Sequence, residues 1–230
     1  MWGSVYNRRD RTPEYGEPMK RLRTPKQQRG IKTKQRIVKT ALRLFARKGI
    51  HGTNSTEIAK KAGVSIGSFY SYFKNKRALL LEVLEDYVER HYGTIWKKLD
   101  DFDEDNLVRE KIKTIVDSVF DAYDISPDFH RQTHALRYTD PDIKRIYDRE
   151  REREVDRIRH LLEKNADSLK NITDSQAAAM VIHNAVENVA HTAKFMGSDI
   201  ESERLADGLV DMICGFLLEG DPLGNDRTGS

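Results

Sequence analysis

Apolar residues recur at intervals of three and four along most of the chain, the spacing that one face of an α-helix requires. A first helix of this kind covers residues 31–48, and two short helices joined by a turn at Gly63 occupy residues 54–73. Asn54, Ser65 and Asn75 stand where helix-capping side chains are expected. The N-terminal part of the chain therefore predicts three helices that lead into a fourth, long helix.

The pattern stays helical beyond residue 100, and no alternating strand pattern competes with it. Residues that favour turns or caps separate the segments, among them Ser126-Pro127 and Asp140-Pro141. We therefore expect an all-α protein in four parts: a flexible basic arm (1–29), a helix-turn-helix domain (30–76), a larger helical domain (77–220) and a tail (221–230). The charge-rich run 149–153 is expected on a solvated helix face.

Charge is distributed unevenly between these parts. Residues 1–76 contain 19 Lys/Arg and 4 Asp/Glu, a balance of +15, whereas the rest of the chain has a balance of −12. A compact basic segment suits the neutralisation of nucleic-acid phosphates, and an acidic remainder does not. An idle basic surface is the alternative. The arm itself is expected either to follow phosphates or a minor groove, or to be an idle tail.

The remaining composition favours an intracellular protein. The chain has a single cysteine, Cys214, in an apolar stretch, which excludes an internal disulfide and indicates a core position. No apolar run approaches the roughly 20 residues of a membrane-spanning helix, and the N-terminus has no hydrophobic signal segment. We expect a soluble, cytoplasmic protein that has no membrane partner.

Two short helices joined by a glycine turn can bind DNA when the second is anchored on one side and exposed on the other. Phe69 and Phe73, four residues apart, are expected to point inward. The polar groups on the other side are then free to face a groove, and a glycine lets backbone N–H groups approach a phosphate. The outward set is Ser65, Gly67, Ser68, Tyr72 and the hydroxyl of Tyr70, followed by Lys74 and Lys76.

The same segment resembles the N-terminal pattern of the tetracycline-repressor (TetR) family. The resemblance covers roughly residues 32–84, and its most specific part is the string Ala-Gly-Val-Ser-x-Gly-x-Phe-Tyr-x-Tyr-Phe-x-x-Lys, which begins at Ala62. Further matching positions are Arg36-Ile37, Ala41, Leu44-Phe45, Gly49, Ser55, Ile58-Ala59 and Leu79-Leu80.

The resemblance implies a homodimeric regulator whose recognition helix enters the major groove of double-stranded operator DNA, and whose larger domain binds an effector. We expect a repressor that a small, mostly apolar molecule releases from its operator. Ile66 is expected either to contact a thymine methyl or to pack internally. The predicted DNA-binding residues are Ser55, Thr56, Ser65, Ile66, Gly67, Ser68, Tyr70, Tyr72, Lys74 and Lys76.

The effector pocket is expected among the middle helices of the larger domain. His183, Glu187 and His191 share one helix stripe and are expected to line the pocket or the dimer interface, or to lie on ordinary surface. The outer pair would lie roughly 12 Å apart, too far for one ion. Neither a metal nor another cofactor is predicted. The pocket candidates, with a core position as the alternative, are Trp96, Phe120, Tyr123, Phe129, Tyr138, Tyr147, His183 and Glu187.

The last two helices carry broad apolar faces. In the TetR family this pair forms a four-helix dimer bundle, which the resemblance implies here as well. The predicted interface residues are Val181, Ala185, Val189, Leu205, Leu209, Met212 and Phe216.

Two other classes of function compete with a regulator. The chain shows no nucleophile–base spacing, glycine-rich phosphate loop or metal quartet of the kind an enzyme site needs, so no catalytic residue is predicted. A DNA-packaging protein would match the basic arm but not the acidic larger domain. We therefore expect a ligand-responsive regulator of transcription.

Overall fold

The structure is a computed structural model that describes residues 28–98, 108–169 and 172–218. Every regular element in these ranges is helical, as the sequence predicts. Most of the expected basic arm and the whole tail at 221–230 lie outside the described residues. The described residues form nine α-helices: α1 (Gln28–Lys48), α2 (Ser55–Lys61), α3 (Ile66–Tyr72), α4 (Lys76–Lys97), α5 (Val108–Tyr123), α6 (Pro127–Leu136), α7 (Pro141–Lys164), α8 (Ser175–His191) and α9 (Ser202–Leu217).

The starts of α2, α3 and α4 are capped by the side chains that the sequence identifies. The oxygen of Asn54 accepts from the Glu57 N–H at 2.9 Å, and that of Asn75 accepts from the Ala78 N–H at 2.8 Å. Ser65 caps the recognition helix α3 in the same way. Each cap satisfies a backbone N–H that has no partner within its helix, so the ends of these short elements are fixed locally.

Two apolar cores hold the helices together. The first core contains residues of α1, α2, α3, α4, α6 and the start of α7. The second core contains residues of the last part of α4 and of α5, α7, α8 and α9. We call residues 28–76 the head and residues 77–218 the body. The first core crosses from one to the other, because the Phe129 ring of α6 lies 6.3 Å from Phe45 and 5.6 Å from Tyr87.

Polar contacts reinforce this joint. The Gln132 side chain of α6 accepts from the Ile50 N–H at 2.9 Å and donates to the Phe45 carbonyl at 3.1 Å. Near the start of α4, Arg77 pairs with Asp140 and Asp142 at 2.9 and 2.6 Å. The end of α1 is therefore fixed to α6 by a two-way amide contact, and α4 is tied to the start of α7.

Replacing Phe129 with alanine should destabilise the protein by about 3–5 kcal/mol, since it removes a buried ring that packs against both head and body. Chemical denaturation followed by circular dichroism measures the change. Tyr138→Ala is the control, because this ring is 78% exposed and its loss should cost under about 0.5 kcal/mol. Equal losses in the two variants would contradict the packing described for α6.

Candidate functional site

The turn between α2 and α3 depends on Gly63. Its φ of +64° lies in the left-handed region, which favours glycine. Around it the Gly63 N–H donates to the Lys60 carbonyl at 3.2 Å and the Val64 N–H to the Ala59 carbonyl at 3.0 Å. These bonds end α2 and set the direction in which α3 begins.

The recognition helix α3 has one buried and one exposed side. Phe69 and Phe73 are buried in the first core, as predicted. Ile66 and Tyr70, also four residues apart, are 40% and 50% exposed. Two exposed side chains of this size, side by side on a seven-residue helix, are unfavourable on a free surface. Ile66 does not belong to the core, which excludes the alternative that it packs internally.

Gly67 lies between these two residues along the exposed side. A Cβ atom built on it would meet only the Ser65 hydroxyl oxygen, at 4.0 Å. Since neither a left-handed φ nor a close internal neighbour requires glycine here, the fold itself tolerates a larger residue. Because Gly67 has no side chain, another molecule can approach the backbone of α3 closely at this position.

The other predicted DNA-binding residues differ in exposure. Thr56, Ser65 and Lys74 are exposed, whereas Ser55 and Ser68 are half-buried. Tyr72 departs from the expected outward orientation: it is half-buried and packs against the first core. Its ring thus helps to hold α3.

Lys76 has an internal role as well. Its ammonium group donates to the carbonyls of Ile50 and Thr53, each at 2.8 Å. The loop between α1 and α2 is thereby attached to the start of α4. Sequence reasoning assigned this lysine to DNA alone, because a link across 26 residues leaves no local signal.

The head is strongly basic. Its described residues include twelve Lys/Arg and a single acidic residue, Glu57, which forms an ion pair with Lys48 at 2.6 Å. Such an excess favours contact with a polyanion. The exposed members along α1 and near α3 include Arg29, Lys32, Arg36, Lys39, Arg43, Arg47, Lys60, Lys61 and Lys74.

The body contains a large cavity of about 560 Å³ between α4, α5, α7, α8 and α9. Most of its wall is aliphatic, and two lysines also line it, the half-buried Lys111 and the exposed Lys164. Three predicted pocket residues line it: Trp96, His183 and Glu187. The aliphatic lining comprises Ile95, Val108, Ile112, Ile115, Val116, Val119, Ile158, Leu161, Leu162, Leu169, Ile182, Val186, Ile213 and Leu217.

The other five predicted pocket residues do not line the large cavity. Phe129 fills the joint between head and body, and Phe120 belongs to the second core. Tyr138 projects into solvent. Tyr123 and Tyr147 instead border a second, small cavity of about 30 Å³. The prediction was wrong here because aromatic rings fill cores as readily as they line pockets, and the sequence does not distinguish the two uses.

The small cavity is surrounded by histidines, tyrosines and carboxylates. His183 Nε2 lies 2.9 Å from a Glu154 oxygen, and the Tyr123 hydroxyl donates to Glu187 at 2.5 Å. Its lining comprises Tyr87, His91, Tyr123, His130, His134, Arg137, Tyr147, Glu150, Arg151, Glu154, His183 and Glu187. Glu154, His183 and Glu187 border both cavities, so the two share a polar wall.

Two of these carboxylates are those of Glu150, within the charge-rich run 149–153, and of Glu154, directly after it. The sequence predicts a solvated helix face for this run. That expectation was wrong for Glu150, which points inward, and Glu154 beside the run is buried. A signal was present: Glu150 and Glu154 continue the spacing of the apolar stripe that includes Ile146 and Tyr147. Acidic residues on a buried stripe mark a site, and His91 lies in the same way on the buried stripe of α4, four residues after Tyr87 and four before Ile95.

Burial and neighbouring charge shift the pKa values in this cluster. Burial and the negative charge of Glu154 raise the pKa of Glu150 well above its usual range. Burial lowers the pKa of His91. Burial also opposes the charged form of His183, yet the Glu154 hydrogen bond and the negative charges of Glu187 and Glu154 together outweigh it and raise that pKa. The surroundings thus favour the charged form of His183, whereas burial favours the neutral forms of Glu150 and His91.

The predicted dimer face is exposed on α8 and α9. Val181, Met212 and Phe216 are exposed large apolar residues, and Ala185, Val189 and Leu205 are half-buried. Leu209 was assigned wrongly, because it is buried in the chain's own second core. We call the other six residues the apolar face. Within the described ranges, no helix is long and apolar enough to cross a membrane.

A left-handed glycine turn, followed by a short exposed helix in a basic helical head, defines the helix-turn-helix class of DNA-binding proteins. The model of bacterial regulatory proteins of the tetR family matches residues 37–83, and that of the tetracyclin repressor-like C-terminal domain matches residues 108–217. The chain belongs to the tetR family.

Individual relatives agree with this assignment. An uncharacterized HTH-type transcriptional regulator of Bacillus subtilis, YerO, is 38% identical over 99 residues, which are 42% of this chain and 33% of that protein. The chain spans only 20–33% of the length of the first curated relatives that it matches.

Solved structures share the fold over most of the chain. A putative TetR-family regulator of Mesorhizobium loti has a TM-score of 0.71 at 20% identity and covers 83% of this chain and 99% of its own. A putative transcriptional regulator of Saccharomonospora viridis, in complex with choline, has a TM-score of 0.69 at 19% identity and covers 83% of this chain and all of its own.

Proposed function

We propose that the protein is a ligand-responsive repressor that binds double-stranded operator DNA as a homodimer and releases it when a small, mostly apolar effector binds. The observation that carries this proposal is the exposed side of α3, where Ile66, Gly67 and Tyr70 stand on a basic head. Because an operator lies on DNA, the protein is proposed to act in the cytoplasm. No step of this function requires catalysis.

The exposed side of α3 supports contacts of two kinds. Ile66 offers an apolar surface suited to a thymine methyl, and the open backbone at Gly67 lets α3 lie deep in a major groove. Tyr70 and Lys74 are placed to contact phosphates, as are Ser55 and Thr56 at the start of α2. With few long polar side chains on α3, we infer that phosphate contacts and DNA shape supply much of the affinity.

The apolar face on α8 and α9 supports the homodimer. An exposed cluster of large apolar side chains on two helices favours association with a second apolar surface. A second copy of this chain offers the same face, and the isologous contact of the two would form a four-helix bundle. The two heads would then bind half-sites that are one helical turn of DNA apart, or a multiple of one turn.

The large cavity supports an effector of mostly apolar character. Its volume of about 560 Å³ is within the range of small-molecule sites, and its wall is mainly aliphatic. The buried Trp96 Nε1 has no hydrogen-bond partner among the described residues and would serve an acceptor atom on the effector. The Saccharomonospora viridis protein of the same fold is in complex with choline, which supports a small-molecule role for the body.

Helix α6 supports a route from effector to DNA. On one side Phe129 and Gln132 contact the end of α1, and on the other His130 lies against His191 of α8 at 3.2 Å between ring nitrogens. Residues of α8 also line the large cavity. We infer that an effector shifts α6 relative to α8 and so changes the separation of the two heads.

Adding a methyl group to α3 should weaken operator binding without harming the fold. Gly67→Ala is expected to reduce affinity for a duplex selected from a random pool by about tenfold or more, because its Cβ projects into the space that DNA backbone or bases would fill. Gly93→Ala is the matched control, since it also adds a methyl group to an exposed helical glycine but lies in the body.

Fluorescence anisotropy over a salt series measures both variants, and circular dichroism confirms their folding. Equal affinity of wild type for selected and random duplexes would exclude operator recognition. An unchanged affinity of Gly67→Ala would contradict the close approach of DNA to the backbone of α3 at this position.

A charge placed in the apolar face should separate the protomers. Met212→Asp and Phe216→Asp are expected to yield monomers at micromolar concentration, because a buried unpaired carboxylate costs several kcal/mol. Sedimentation velocity measures the change in mass. Tyr138→Asp places the same charge at an exposed ring outside this face and should remain dimeric; a monomeric wild type would refute the proposed interface.

Filling the large cavity should abolish the effector response. In a thermal-shift screen of apolar acids, amines and alcohols, molecules that raise the melting temperature of wild type and release DNA should do neither with Ile158→Trp, since the indole occupies their space. Tyr138→Trp, which alters an exposed ring outside both cavities, should respond as wild type does. A full response in Ile158→Trp would place the effector elsewhere.

A further inference from the structure

Unpaired buried polar atoms are concentrated around the small cavity. Among the described residues, eleven buried side-chain nitrogen and oxygen atoms have no hydrogen-bond partner, and eight of them belong to residues that line this cavity. Native proteins rarely leave such atoms unpaired, and a local concentration calls for an occupant. The eight are Tyr87 Oη, both ring nitrogens of His91, His130 Nδ1, Glu150 Oε1, Arg151 Nε, Glu154 Oε1 and His183 Nδ1.

Three of these residues offer donors to one point. Ligand atoms of His91, Glu150 and Glu154 all lie within 4.8 Å of one another. His91 is 5% exposed, so its two unpaired nitrogens have no access to bulk water. Two ligands of one first-row metal ion lie about 3–4 Å apart, given bonds of about 2.0–2.2 Å, so small side-chain adjustments bring these donors to a single ion.

The ligands come from helices that face one another. Glu150 and Glu154 are one turn apart on α7, His91 projects from α4, and α8 supplies His183 and Glu187 as a second pair one turn apart. Glu154, His183 and Glu187 also lie within 4.8 Å of one another. Carboxylates and histidines on facing helices of a bundle are a common way to build a metal site in a helical core.

The size of the small cavity selects among possible occupants. About 30 Å³ accommodates a water molecule or a single ion but excludes an organic ammonium group with its substituents. One water molecule makes about two to four hydrogen bonds and brings no positive charge to the buried carboxylates of Glu150 and Glu154. Arg137 and Arg151 also border the cavity, but Asp148 draws the guanidinium group of Arg137 away, at 3.0 Å.

We propose that the small cavity holds a divalent first-row transition-metal ion, with His91, Glu150 and Glu154 as its protein ligands. The mixed imidazole and carboxylate donors suit Zn²⁺, Mn²⁺, Fe²⁺, Co²⁺ or Ni²⁺ rather than a soft ion such as Cu⁺. The ion binds the two buried carboxylate oxygens that lack a hydrogen bond, Glu150 Oε1 and Glu154 Oε1, and supplies positive charge beside them. Glu154 then connects the ion to His183 and Glu187 in the wall of the large cavity.

Titration calorimetry of the full chain, stripped with a chelator, tests this proposal with Zn²⁺, Mn²⁺ and Co²⁺ and without DNA or effector. Wild type should bind at least one of these ions at micromolar concentration or below. Glu150→Gln, which keeps the shape of the side chain, and His91→Ala should each weaken binding at least tenfold. His160→Ala is the control. It removes an exposed histidine of α7, the helix that carries Glu150, and this variant should bind the ions as wild type does.

Cobalt absorption gives a second readout, since the d–d bands of Co²⁺ report nitrogen and oxygen ligation in wild type and should be lost in Glu150→Gln. Circular dichroism shows that each variant is folded. No ion binding by wild type, or equal affinity in wild type and Glu150→Gln, would overturn the proposal. Binding of choline that Glu150→Gln abolishes, without binding of any of the three ions, would also overturn it in favour of an organic cation.

Discussion

The two-way contact of the Gln132 amide with the end of α1 constrains the whole arrangement of the molecule. One side chain of α6 satisfies the Ile50 N–H and the Phe45 carbonyl, and the Phe129 ring beside it lies between Phe45 and Tyr87. The head therefore has no core of its own that is separate from the body. Any displacement of α6 must either carry the head with it or leave the Ile50 N–H without its partner, which is costly.

The parts of the fold that depend on neighbouring residues could be predicted from the sequence. The caps at Asn54, Ser65 and Asn75 act over three residues, and the burial of Phe69 and Phe73 follows from their spacing on α3. The helical class follows from the same local periodicity. These features need no knowledge of how distant helices meet.

The pocket could be predicted only in part, because its walls are chosen by tertiary packing. Trp96, His183 and Glu187 line the large cavity, whereas Phe129 and Tyr138 show that an aromatic ring can equally fill a joint or project into solvent. The aliphatic residues that form most of the wall look like ordinary core in the sequence. The carboxylates of Glu150 and Glu154 were missed because charged residues are mostly exposed. Only their position on an apolar stripe indicated that they are not.

The shared wall formed by Glu154, His183 and Glu187 has a thermodynamic consequence. An occupant of either cavity lies against this wall, and Glu154 and His183 contact one another within it, so an occupant of one cavity changes the free energy of side chains that the other occupant contacts. Linkage requires this influence to be mutual: if filling one cavity alters the dissociation constant in the other by some factor, the reverse effect has the same factor. The body can in this way couple the binding of an effector and the binding of an ion to the same displacement of α6, through the side chains of a single wall.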